Sequence, residues 1–338
     1  MTKDRINAFL KFLFFLSLGI FLIWISTKSL TKEEVEAVKY QILAANYNIL
    51  VPSILIILLS HFMRALRWRM MITPLSYKPS LFNVFLSVLI GFFFNLIFPR
   101  LGELMKCTLL GKHEKIPVDK LVGTMVAERL IDVFCLLIVI SMTIVSQYQR
   151  VGNYANELIG TFYKKIQFNI TTTIITSVVF LIFLVGGFII SKRFQKSKSI
   201  EKIKSIIKGI LTGFGSIRKI EKKGLFIAYT ISIWFLYLFC IKIGFLAINE
   251  ISTLGWIPSL TILTFGSFAM IATQGGIGAY QLAVQKTLVL FGVREVTGLA
   301  FGWLMWSVQT IFLMIAGPIS LLIMSTVNKK NKLNNNEY

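Results

Sequence analysis

Five ionisable residues fall where a long apolar pattern should exclude them. Arg100 and Glu103 flank a Pro-Arg-Leu-Gly-Glu break at 99–103, with Asn95 just before it and Gly102 inside it. Glu128, Arg129 and Asp132 lie in the next apolar run, about 14–20 Å along a helix that rises 1.5 Å per residue, near the middle of a bilayer. Groups at that depth are costly and persist where they pair or serve a function. Glu128 and Asp132 share a helix face, and Arg129 can pair with Asp132. Two chemistries suit the set. One is a structural ion-pair cluster, with Arg100 neutralising Glu128 and Glu103 meeting Arg129. The other is an anion site, in which the planar arginine fork grips phosphate oxygens and the acids weaken that grip or carry protons.

A second polar break is Gln274-Gly275-Gly276-Ile277-Gly278, followed by Tyr280, Gln281, Gln285 and Lys286. Glycines there free backbone N–H groups at the start of a half-helix, a place that attracts anions. Tyr280, Gln281 and Gln285 add neutral hydrogen-bonding groups, and Lys286 either adds a cation or snorkels to the interface. Arg64, Arg67, Trp68 and Arg69 read as a basic-aromatic collar at the membrane surface. Two histidines and three cysteines without C-x-x-C spacing point to no metal site and no disulfide framework. No P-loop, G-x-S-x-G, H-E-x-x-H or dinucleotide fingerprint is present, and no cofactor is expected.

The elements that must position these residues follow from composition. Of 338 residues, 55% are apolar and 15% charged, where a soluble domain has about 25% charged. With a mean hydropathy of +0.74, that excludes an ordinary soluble domain and a disordered chain. Full spans need about 20 apolar residues. Runs 6–26, 47–63, 119–146, 170–191, 225–246 and 296–324 qualify, and the first reads as a signal anchor rather than a cleaved peptide. Runs 80–98 and 257–273 instead reach the two breaks and resume only briefly, to 111 and 291. Gly and Pro interrupt helices, so both are predicted to be re-entrant hairpins that leave on the side they entered.

With the N-terminus inside, that topology places 25 Lys and Arg in cytoplasmic segments and 7 outside, as the positive-inside rule requires. Both termini are then cytoplasmic, and 327–338 is a polar tail. Segment 192–224 holds eleven Lys and Arg with isoleucines at three- and four-residue steps, the pattern of an amphipathic helix on an anionic leaflet. Nucleic acid is excluded as a partner, because no fold or stacking platform accompanies the charge.

Run–run–hairpin–run describes both 6–146 and 170–324. Three full crossings per half give the halves opposite orientations. The expected fold is an all-α polytopic integral membrane protein, with six spans, two oppositely oriented re-entrant hairpins and an inverted repeat within one domain, 1–326. Paired interrupted helices in inverted halves point to a transporter's substrate site.

The segments R-A-L-R-W-R (64–69), G-F-F-F-N-L-I-F-P-R-L-G-E (91–103), E-R-L-I-D (128–132) and G-G-I-G-A-Y-Q (275–281) resemble, in order and spacing, the transmembrane region of the lysylphosphatidylglycerol synthases, a flippase-like domain family. Ala272, Thr273 and Gln281 depart from that pattern, which usually has a proline before the second turn and often an acid after it. The resemblance implies a multi-pass protein of the bacterial inner membrane that handles phospholipid or glycolipid headgroups. Aminoacyl transfer belongs to a separate C-terminal domain, expected to be missing beyond Tyr338, so synthase activity is not carried over. The leading expectation is a lipid translocase for a phosphate-bearing headgroup. The site would comprise Asn95, Arg100, Gly102, Glu103, Glu128, Arg129, Asp132, Gly275, Gly276, Gly278, Tyr280 and Gln281. A membrane-embedded transferase using a lipid-linked donor, with Glu33, Glu34 and Glu36 as candidate metal ligands, is the alternative. So is a non-transporting partner of a separately encoded lipid-modifying enzyme.

Overall fold

A computed structural model describes residues 17–28, 30–98, 101–147 and 219–334. Among them, regular structure is entirely helical: α1 (Ser17–Thr27), α2 (Lys32–Leu43), α3 (Tyr47–Ile72), α4 (Leu81–Ile97), α5 (Leu101–Glu114), α6 (Val118–Ser146), α7 (Lys223–Gly244), α8 (Trp256–Ala272), α9 (Ala279–Val289) and α10 (Glu295–Asn334). Four of these, α3, α6, α7 and α10, are long and apolar enough to cross a membrane. The expected span 170–191, most of the basic segment 192–224, and the start of the first run lie outside the described residues.

The two broken runs are helical hairpins. Helices α4 and α8 have 17 residues each, or about 25 Å against the roughly 30 Å of hydrocarbon in a bilayer. Their partners α5 and α9 are shorter still, with 14 and 11 residues. In the first hairpin the antiparallel helices approach until backbones touch: a Cβ on Gly102 would overlap the Gly91 carbonyl oxygen and lie 2.8 Å from the Asn95 side chain. In the second, Gly275 and Gly276 hold φ of +59° and +74°, a left-handed backbone that only glycine adopts without cost. Tyr280 then lies across Gly266 of α8, where a Cβ would come within 2.9 Å of the ring.

The hairpins point in opposite directions. At one end of α3, Glu114 accepts from Ser80 N–H and Asn83, Lys120 donates to the Tyr77 hydroxyl, and Ile220 packs with Met71. At the other end, Asn46 N–H donates to Ala247 O at 2.8 Å and Gln41 to the Thr297 hydroxyl at 3.0 Å. The open ends of hairpin α4–α5 therefore lie at the first end and those of α8–α9 at the second. Antiparallel α3 and α7 form the centre. Each hairpin's first helix leans on the last long helix of the other half, α4 on α10 and α8 on α6. The larger apolar core joins α3, α7, α8, α9 and α10; a second joins α3 to α6.

Candidate functional site

The two breaks meet. Gln274 Nε2 donates to the Leu96 carbonyl at 3.0 Å and also to that of Ile97. The last carbonyls of a helix have no partner within it, so the second hairpin's tip caps the C-terminus of α4. Trp306 of α10 donates to Gly275 O at 2.7 Å and pins the tip from behind. On the first hairpin, Asn95 Oδ1 accepts from Gly102 N–H at 2.9 Å, capping the start of α5.

Beside these tips lies a cluster of buried charge. Glu128, fully buried, accepts from Arg64 Nη1 (2.7 Å), Lys106 Nζ (2.7 Å), Arg129 Nη2 (3.2 Å) and Arg67 Nη2 (3.3 Å). Asp132 accepts from Arg64 Nη1 and Arg67 Nη2, both at 2.7 Å, and pairs with Arg129 at 3.2 Å. The i,i+4 spacing of the two acids brings them to one face of α6, opposite the arginines of α3. Arg64 also donates to the Tyr237 hydroxyl at 3.0 Å, tying α7 to the cluster. Glu103 stands 3.9 Å from Arg129; these two form the rim, with side chains 25% and 37% exposed.

Among the described residues, four cations thus face three carboxylates, and several guanidinium nitrogens have no partner: Arg64 Nε, Arg67 Nε and Nη1, and Arg129 Nε. Flat walls complete the site. Lys106 Nζ lies 4.3 Å from the centre of the Trp68 ring, whose Nε1 donates to Thr124 at 3.0 Å, and the Arg64 guanidinium lies over Phe92. Such cation–π contacts favour a desolvated cation.

Glu103, Glu128, Arg129 and Asp132 therefore come together in the charged cluster, while Asn95 and Gly102 meet each other at the first hairpin's tip; Arg100 lies outside the described residues. Arg64, Arg67 and Trp68 are not a surface collar. They are 4%, 0% and 0% exposed, held inside by the acids of α6, and only Arg69 of that group keeps partial exposure. Lys106 is likewise buried at 4%. The spacing of Arg64, Arg67 and Trp68 at i, i+3 and i+4 puts them on one helix face, a signal that a solvated collar does not need.

The second glycine turn splits. Gln274 and Gly275 reach the first hairpin, whereas Tyr280 packs on α8 and Gln281 faces Gly302 of α10. The N–H groups of Gly276 and Ile277 donate within the turn, and Gly278 is covered by Gly19 of α1, so the anion site expected on this half-helix is covered by protein. Lys286 pairs with Glu295 at 2.6 Å on the surface. Glu34 closes a capping box with Thr31, and Glu36 pairs with Lys39. Among the described residues no group of three or more His, Cys, Asp or Glu is placed to hold a metal.

The family described as the lysylphosphatidylglycerol synthase TM region matches this chain over residues 9–317. The chain belongs to that family. The match takes in both hairpins and every residue of the charged cluster. A UPF0104 membrane protein of Methanocaldococcus jannaschii is 32% identical over 157 residues, covering 44% of this chain and 43% of that relative. The aligned region thus spans less than half of the curated relative. No solved structure matches the chain. Family and helices together make this a polytopic membrane protein of a lipid-related family.

Proposed function

We propose that this protein is a lipid translocase that carries a phosphate-bearing headgroup between leaflets while the acyl chains stay in the bilayer. The observation that supports this reading most is the juxtaposition at the hairpin tips: two short, oppositely directed hairpins meet through Gln274, beside a buried charged cluster with unpaired guanidinium donors. Both hairpins act as re-entrant elements in this reading. Non-helical backbone is tolerated at membrane depth only where protein or a polar path covers it, and here Gln274 caps the end of α4 while Trp306 and Gly19 cover the second turn.

In this mechanism Arg64, Arg67, Lys106 and Arg129 hold the headgroup, because forked guanidinium donors match phosphate oxygens. Glu128 and Asp132 orient those cations and keep the grip weak enough for release. Separation of the tips gives the headgroup its way past. The end carrying the loops around 73–80, 115–117 and 219–222 faces the cytoplasm, since it is the more basic. The plasma membrane is the proposed location.

The test uses full-length protein in vesicles whose outer leaflet carries quenchable fluorescent phospholipids. Protein-dependent movement that falls at least about tenfold in Arg67→Gln supports the reading. Movement of every phospholipid tried at the rate of empty vesicles removes it.

A further inference from the structure

One face of α10 carries both hairpins. Gly298 and Gly302 lie against the backbone of α9, where a Cβ would come within 3.1 Å of Gln285 Cα and 3.0 Å of Gln281 Cα. One turn on, Trp306 donates to Gly275 O at 2.7 Å. About three turns further along the same face, Gly317 meets Phe93 of α4. About two turns later, Met324 packs with Leu86 and Ile90 of α4. The part of α10 before Ala316 thus seats the second hairpin, and the part after it seats the first.

The changeover falls where the helix is weakest. Pro318 stands inside α10; it has no N–H to offer the carbonyl of Met314, and its ring crowds that carbonyl. Gly317 precedes it, and a helix holds glycine less firmly than any residue but proline. Ser320 Oγ donates back to Ala316 O at 2.7 Å, a competing bond that loosens and bends helices. Sharp bends in long helices occur at prolines and at glycine–serine pairs. Among the described residues nothing packs tightly on the outer side of this stretch, where Ile315 and Ile319 are 58% and 49% exposed.

We infer that residues 316–320 of α10 form the hinge on which the two hairpin tips part. Bending there turns α4, together with the C-terminal part of α10, away from α9 and its tip. The contact that breaks is that of Gln274 with the carbonyls of Leu96 and Ile97, about one turn beyond Phe93. Near its other end α4 is held by Val84 and Val88, which pack with Trp68 and Ile72 of α3, so the swing is largest at the tip. Hinges of this kind confine a large change of backbone angle to a few residues while the packed elements on either side stay intact. This inference rests on the translocase reading and deepens it by naming the joint that moves.

Pro318→Ala restores the missing N–H and removes the ring, which stiffens the joint and leaves the charged cluster untouched. Two readouts apply to the full-length protein in vesicles. The first is the distance between spin labels at Leu104→Cys and Ile271→Cys, exposed positions beside the two tips, with the three native cysteines replaced by alanine. With Pro318 present the distribution should have a shorter and a longer component, and Pro318→Ala should leave only the shorter. The second is movement of fluorescent phospholipid, expected to fall about tenfold in Pro318→Ala while Tm is unchanged or raised. Ile315→Pro combined with Pro318→Ala moves the break about one turn back, still between Trp306 and Gly317, and should restore both readouts in part.

Distance distributions that are the same with and without Pro318 overturn the inference, as does unchanged movement in Pro318→Ala where wild type moves lipid. A fall in movement accompanied by a lower Tm also overturns it, since the proline then serves folding. If the distances respond to Pro318→Ala but neither protein moves lipid, the hinge stands and the translocase reading falls.

Discussion

Gln274 Nε2 lies 3.0 Å from the carbonyl oxygen of Leu96, a residue 178 positions earlier in the chain. This contact makes the two breaks one structure. It also supplies from another hairpin the cap that α4 cannot supply for itself.

If the headgroup passes between the tips, tying them together must stop it. Leu96→Cys combined with Gln274→Cys, bridged by a short reducible cross-linker, should lower protein-dependent lipid movement to the level of empty vesicles. Reduction should restore it. Continued movement in the cross-linked protein would place the path elsewhere.

Glu128 accepts hydrogen bonds from four cations while fully buried. Glu128→Gln leaves those cations short of a counter-charge, and breaking a buried ion network in this way costs about 3–5 kcal/mol. Thermal unfolding in detergent should show a clear drop in Tm. Asp132→Asn should cost less, because the Asp132 side chain keeps 13% exposure.

Gly102 is expected to tolerate no side chain, since a Cβ there overlaps the Gly91 carbonyl. Gly102→Ala should destabilise by about 1–3 kcal/mol or more, the usual cost of overpacking. Gly224→Ala in the first turn of α7, where nothing lies within 4 Å, is the matched control and should leave stability unchanged or slightly raised. Yields of folded protein in gel filtration separate the two.

The loop clip formed by Glu250 with Arg294, Thr297 and Gln41 gives a pH dependence. Its hydrogen bond from Arg294 holds the Glu250 carboxyl below the ordinary 4.5. Its contribution is therefore complete above about pH 4.5 and is lost as pH falls through the lower folded value. Since both side chains are substantially exposed, the effect is below about 1 kcal/mol. Comparing wild type with Glu250→Gln, the difference in Tm should shrink as the pH drops below 4.5; a constant difference would contradict the assignment.

Much of the frame was legible in the sequence because the bilayer imposes it. Apolar runs ending at Pro99 and Gln274 are too short to cross, and the structure breaks them into α4–α5 and α8–α9. That Glu128 and Asp132 share one helix face follows from their i,i+4 spacing alone. Their partners did not follow. Arg64 and Arg67 lie 61–68 residues from the acids they meet, and a basic residue near a helix end looks the same in sequence whether it faces lipid headgroups or a buried carboxylate. Lys106 is hidden for a similar reason: nothing in its local sequence marks that it meets Glu128, 22 residues on. The glycine turn at 275–278 was legible as a turn, but the neighbour that covers Gly278, Gly19 of α1, is a matter of tertiary packing.

The crossed packing of the halves has a consequence for how the protein is made. Helix α4 is covered by α10, where Gly317 is so close to Phe93 that no side chain fits between them. Ribosomal synthesis delivers the first hairpin more than two hundred residues before that cover. Until then α4 lacks first the cap that Gln274 gives the carbonyls of Leu96 and Ile97 and then the cover of α10. Assembly is thus completed from the C-terminal side, and a nascent chain halted before residue 317 should be recognised by membrane quality-control proteases as unfinished, however well its first half is inserted.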